Sequence, residues 1–175
     1  MKKFCTAIIT CVLFSTIATA QSSFPADFVG HWKGTLNWYP SGAKEPKQIT
    51  MELHVQPSKD TAGQYTWNLV YGKPSEDNRP YILKPVDTAK GHWVIDEVNG
   101  IKLDQYWIGN AFSGAFRVEN STIVNTYWLE NGRLKVQFIS YLSKPVATTG
   151  KGTEESPFVD SYGVRSYQLA ELTKQ

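Results

Sequence analysis

The chain has 175 residues, with 18 basic and 16 acidic side chains, two cysteines and six tryptophans. A formal charge of +2 is no basic surplus, so the electrostatic footprint of a nucleic-acid binder is excluded. The length suits one domain of ordinary size.

Lys2 and Lys3 precede an apolar run from Phe4 to Ile17 that is short for a bilayer span. Ala18-Thr19-Ala20 has the small-x-small form of a cleavage site. The expectation is a signal peptide over residues 1–20, a mature domain over 21–175, and a secreted or periplasmic protein with no stable membrane anchor. Cys11 lies inside the apolar run behind Thr10, the wrong place for lipid attachment. Cleavage removes both cysteines and both lysines, so the 18 basic residues become 16, equal to the 16 acidic ones. The expected mature protein is uncharged overall. It has no disulfide, cysteine nucleophile or thiolate metal site and is held together by core packing.

Phe24-Pro25-Ala26-Asp27-Phe28-Val29 has the chemistry of one helical turn. Gly30-His31-Trp32-Lys33-Gly34 opens the first strand, and its small residues let other backbone approach. From there Trp32, Gly34, Leu36 and Trp38 alternate with Lys33, Thr35, Asn37 and Tyr39, the period of a half-buried strand. Lys47 to Gln56 alternates in the same way. A turn at Ala62-Gly63 leads into Gln64 to Tyr71, and Gly72 to Pro80 reads as a polar loop. Tyr81 to Val86, His92 to Asp96, Ile101 to Ile108 and Ala111 to Val118 follow as strands, with a hairpin signal at Asn99-Gly100. Ser121 to Leu129 and Arg133 to Leu142 flank Asn131-Gly132. Ser143 to Tyr162 reads as a long loop, and Val164 to Leu172 as the last strand.

Sequential hairpins without an intervening helix predict an all-β, up-and-down antiparallel meander. Closing it removes two unpaired edges, so the expected fold is a single barrel of about 8–10 strands. A sandwich needs long crossovers, and the absence of a fixed repeat excludes a propeller.

The turn, the Gly30-His31-Trp32 opening and the meander together resemble the calycin superfamily: lipocalins, fatty-acid-binding proteins and bacterial lipocalin-like relatives. The resemblance implies that Trp32 closes one end of the barrel beside Gly30. A basic residue of a late strand, Arg165 or else Arg117, would pack across its ring. The opening segment is also similar to that of nitrobindin-type haem barrels, whose ligating His lies near the C-terminus. No His follows His92 here, and no cofactor is expected.

If Trp32 faces inward, alternation assigns an interior set. It comprises Leu36, Trp38, Met51, Leu53, Tyr65, Trp67, Leu69, Leu103, Trp107, Phe112, Phe116, Tyr127, Val136 and Phe138. These residues either fill a core or wall a cavity. Gln105, Asn125, Ser140, Ser166 and Gln168 fall among them. Buried amides must be hydrogen-bonded, either to each other and to water or to a ligand that they orient. The candidate ligand-binding residues are Trp38, Met51, Leu53, Tyr65, Trp67, Gln105, Trp107, Phe116, Asn125, Tyr127 and Phe138, with Gly30, Trp32 and Arg165 as structural residues.

Chemistry is harder to place. His31, His54 and His92 lie on three strands with no ligand spacing, so no metal is expected. Asp96-Glu97 and Glu154-Glu155 are neighbours that point apart in a strand. Thr148 to Thr153 lacks Walker spacing and a following helix, and Ser113-Gly114 lacks a nucleophile elbow. No catalytic residue is assigned. The expectation is capture of a small apolar or aromatic molecule. The alternative is a protein-interaction or inhibitor module that contacts partners through loops 72–80 and 143–162, with an enzyme acting on a cavity-bound substrate placed third.

Overall fold

The computed structural model describes residues 23–175; the expected signal peptide, residues 1–20, lies outside them. Ten strands follow one another: β1 (Gly30–Pro40), β2 (Lys47–Val55), β3 (Tyr65–Tyr71), β4 (Asp77–Asp87) and β5 (His92–Asp96), then β6 (Lys102–Ile108), β7 (Ala111–Val118), β8 (Ser121–Glu130), β9 (Arg133–Thr149) and β10 (Val159–Lys174). Each pairs antiparallel with its sequence neighbours, and β10 returns to β1, closing the barrel. The only helical elements among the described residues are 3₁₀ turns at Ala26–Phe28 and Thr88–Lys90. The expected all-β barrel is present.

The closing seam sets Trp32 opposite Lys174 and Gly34 opposite Leu172. Gly34 is required there. A Cβ at that position would lie 2.1 Å from the Glu171 carbonyl oxygen.

One half of the barrel is packed solid. Phe28, in the N-terminal turn, is fully buried, and its carbonyl accepts a 2.8 Å hydrogen bond from the Trp32 indole Nε1. Phe24 stacks on Phe112 at 4.3 Å and on Trp107 at 4.9 Å, and meets Trp93 edge-on at 5.3 Å. The turn thus plugs the end of the barrel at which β1 begins. The basic residue over the Trp32 ring is Lys174, 5.4 Å from its centroid. Arg165 does not take that place: it lies past the far end of β1, where Pro40 faces Ser166 and the Ser41 amide donates to the Arg165 carbonyl at 2.8 Å.

Two segments read as loops are strands. β4 begins at Asp77, leaving only residues 72–76 as loop. Pro80 is tolerated because it lies opposite Asn68 of β3, while pairing with β5 starts only at Ile82, so its missing N–H faces an unpaired edge. β9 and β10 also run on as a paired ribbon, Thr149 against Val159, so the loop is 150–158 rather than 143–162. Beyond Leu142 and Val164 this ribbon has no third strand beside it. Both its faces meet solvent, which erased the alternation that marks a half-buried strand.

Candidate functional site

The other half of the barrel is open. A cavity of about 710 Å³ lies between Leu36 and Trp38 of β1, Ile49 of β2, Tyr71 of β3, Phe116 of β7, Ile123 of β8 and Phe138 of β9. That volume falls inside the range of small-molecule sites, about 300–1,000 Å³. The strands that wall it also build the plug: Trp32 and Trp38 lie on the same face of β1, one at each end of the barrel.

Polar groups enter this wall from two parts of the barrel, β3–β4 and β8–β10. Arg79 Nε and Nη2 donate to Asp77 Oδ1 and Oδ2, both at 2.8 Å. Its guanidinium lies 4.9 Å over the Tyr71 ring. The pair holds the Asp77 carboxyl below its ordinary range and the Arg79 guanidinium above its own. Burial pushes the Tyr71 phenol up, so it stays neutral. Arg165 reaches the cavity through a bulge. Val164 pairs with Tyr141 and Ser166 with Ser140, so two steps on β10 match one on β9. Its Nη1 donates to Ser121 Oγ at 2.7 Å. Ser140 and Ser166 share a 2.8 Å hydrogen bond in the same wall, next to Gln168.

The Trp38 indole Nε1 is buried without a protein partner. It is a donor in an apolar wall, the arrangement that orients a ligand carrying an acceptor.

Of the eleven residues singled out from the sequence, Trp38, Phe116 and Phe138 line the cavity. Met51, Leu53, Trp67 and Tyr127 are fully buried in the packed half, and Tyr65 is partly buried against it. Trp107 belongs to the plug through Phe24. Tyr127 joins the two halves: it meets Trp67 edge-on at 5.1 Å and Phe138 edge-on at 5.9 Å. Burial pushes its phenol up to about 12. Gln105 and Asn125 are buried, and both amide atoms of Gln105 and Oδ1 of Asn125 lack protein partners. Gly114 makes room for the Gln105 amide, since a Cβ there would lie 2.3 Å from Nε2.

Asp77 and Arg79 fall in the Gly72 to Pro80 segment that the sequence presents as a loop, whereas Tyr71 continues the Tyr65, Trp67, Leu69 alternation of β3 and was legible there. Carrying the alternation back from Leu83 and Tyr81 would have put Arg79 and Asp77 on the inner face.

The histidines need a correction. His31 of β1 lies directly opposite His54 of β2, and their rings are 4.0 Å apart. Both Nε2 atoms contact Oε2 of Glu52, at 2.9 and 3.0 Å. Lys33 Nζ takes the other oxygen at 2.8 Å. Lys33, assisted by both imidazoles, holds the Glu52 carboxyl down to about 2 against the effect of its burial. Spacing along the chain hid this cluster, because it depends on the register between two strands. His92 stands apart, stacked on Tyr106 and bonded to Asp104 at 2.7 Å.

No protein-family model and no curated protein match this sequence. The barrel is similar to the crystal structure of a protein of unknown function from the DUF3598 family of Nostoc punctiforme, with a TM-score of 0.61 and 13% identity. The match covers 86% of this chain and 48% of that one, so this chain spans about half the length of that structure. At this identity the likeness shows a shared fold, a ten-stranded antiparallel barrel.

Proposed function

We propose that this protein is a secreted or periplasmic, lipocalin-like carrier that binds a small molecule with an apolar or aromatic body in the open half of its barrel. The observation that carries the reading is the cavity of about 710 Å³, walled by Trp38, Phe116 and Phe138 beside the Arg79 and Arg165 side chains. The lipocalin-like assignment rests on the Gly30-His31-Trp32 opening and its plug, and the location on residues 1–20. On β1 and β2 the outward side chains are His31, Lys33, Thr35 and Asn37, and Gln48, Thr50, Glu52 and His54. This polar outer face of β1 and β2 is unlike the lipid-facing apolar band of a membrane-spanning barrel.

Anilinonaphthalene sulfonate, an aromatic probe with one anionic group, tests the reading by fluorescence titration. Phe116→Glu places a charge in the apolar wall and is expected to weaken the probe by at least about tenfold, equivalent to about 1.4 kcal/mol. Unchanged affinity in a folded Phe116→Glu variant and in Trp38→Ala would refute the cavity as the site.

A second reading, a protein-interaction module, draws on the β9–β10 ribbon. It carries exposed Val146, Val159 and Tyr162, with Phe158 at its tip 70% exposed. Exposed apolar side chains grouped this way mark contact surfaces.

A further inference from the structure

The outer face of the first hairpin holds an arrangement that neither the cavity nor the plug uses. β1 and β2 pair with His31 opposite His54 and Lys33 opposite Glu52. Glu52 and His54 are two residues apart on one strand, so they share a face, and the cross-strand register brings His31 to the same face. The ligand atoms of His31, Glu52 and His54 all lie within 4.8 Å of one another. The His31 and His54 side chains are part-exposed, at 37% and 35%, over the nearly buried Glu52, so solvent reaches the group through the imidazoles.

We propose that His31, Glu52 and His54 form a site for a divalent cation of the zinc class on the outer wall of the barrel. Two imidazoles and one carboxylate are the donor set that such ions prefer, whereas Ca²⁺ and Mg²⁺ demand oxygen ligands. A tetrahedral ion with bonds of about 2.0–2.1 Å needs donors about 3.3 Å apart. The two nitrogen-to-oxygen separations here are 2.9 and 3.0 Å, so each imidazole moves away from the carboxylate oxygen by only a few tenths of an ångström, and the two nitrogens lie within 4.8 Å of one another.

The rings are now stacked at an interplanar angle of 22°. Rotation about the Cβ–Cγ bonds turns both Nε2 lone pairs toward one point. To bind the ion, each imidazole presents a bare Nε2 and carries a single proton on Nδ1, any second ring proton passing to solvent. Lys33 stays on the far carboxylate oxygen and holds Oε2 toward the ion, as hydrogen-bonded neighbours of metal ligands commonly do. Three protein donors leave a fourth position open to water or to a ligand from solution. Such an ion would tie β1 to β2 beside Trp32. It would stabilise a chain whose described residues contain no cysteine, since an ion that binds only the folded form raises its stability by mass action.

The test is calorimetric titration of untagged protein with Zn²⁺, with Ca²⁺ in parallel. One Zn²⁺ per chain is expected and no Ca²⁺ uptake at the same concentration. His31→Gln and His54→Gln should each weaken Zn²⁺ by at least tenfold, while His92→Gln leaves it unchanged. Proton NMR of the unaltered protein answers the same question if a variant fails to fold: Zn²⁺ should shift the His31 and His54 ring signals before that of His92. Absence of Zn²⁺ binding would show a simple ion-pair cluster around Lys33 and overturn the site. So would full affinity in a folded His31→Gln/His54→Gln double variant, or ring shifts confined to His92.

Discussion

Trp32→Ala separates the two ends of the barrel. The indole is 3% exposed, wedged under Lys174 and bonded to the Phe28 carbonyl. A buried Trp removes about 150–250 Å² from water, worth about 4–6 kcal/mol at 25 cal/mol per Å² as an upper bound. Measured truncations of buried aromatics to Ala cost about 3–5 kcal/mol, and the Phe28 carbonyl left without its donor adds to that. We expect a loss of about 4 kcal/mol, and about half that for Trp32→Phe, which keeps the ring but not the donor. The site proposed for the ligand is walled by Leu36 and Trp38, four and six residues along β1, about 13–20 Å away at 3.3 Å per residue. Urea unfolding followed by circular dichroism measures the first quantity, and probe titration without denaturant the second. The expected result is a large loss of stability with probe affinity within twofold of the parent. A stable Trp32→Ala protein that no longer binds the probe would show that the ligand enters at the Trp32 end and would refute the assignment of that end as the plug.

Two further predictions concern buried and paired polar groups. Gln105 lies fully buried with neither amide atom paired to protein, so Gln105→Met should be neutral or stabilising, by up to about 1–3 kcal/mol, in urea unfolding. A loss beyond about 1 kcal/mol would mean that the amide holds a bound water or ligand group. Asp96 accepts from Lys84 Nζ at 2.7 Å and from the Val98 amide at 2.9 Å, and chiefly the lysine keeps its carboxyl below the ordinary value of 3.8. A carboxyl depressed by folding contributes stability that is whole above its unfolded value and is lost as pH falls through its folded one. The urea midpoint should therefore drop below about pH 4, and less steeply in Asp96→Asn; equal slopes in the two proteins would remove the Lys84 pair from the account.

Most of the strand plan was readable because half-buried strands print a period of two and tight hairpins print Asn-Gly or Gly. Trp32, Gly34, Leu36 and Trp38 gave the inner face of β1 directly, and the hairpins gave the neighbours in the sheet. What escaped had other causes. The Arg165 side chain reaches the cavity only because a bulge breaks the alternation of β10. Asp77 and Arg79 are charged residues on an inner face, so hydrophobic patterning passed over them. The sequence equally could not say that the interior divides into a packed half and an open one. That depends on Phe24 and Phe28 folding into one mouth and filling it. The His31–Glu52–His54 group depends on pairing between strands, which no single strand encodes.

The seam between β1 and β10 is the one junction of the sheet not made by a hairpin; it joins Trp32 to Lys174 across nearly the whole described chain. Every other pairing can form locally as soon as two neighbouring strands exist. A sheet of these ten strands without the seam would have two bare edges and an apolar face open to water. Closing a loop of about 140 residues costs about 2 kcal/mol more than closing one of 10, so the step that completes the core is also the one most opposed by chain entropy. On a ribosome it must also wait for the last strand to emerge. The tight fit of Gly34 against the Glu171 carbonyl therefore governs more than the finished barrel: any side chain placed there would prolong the stage at which open strand edges are free to pair with another copy.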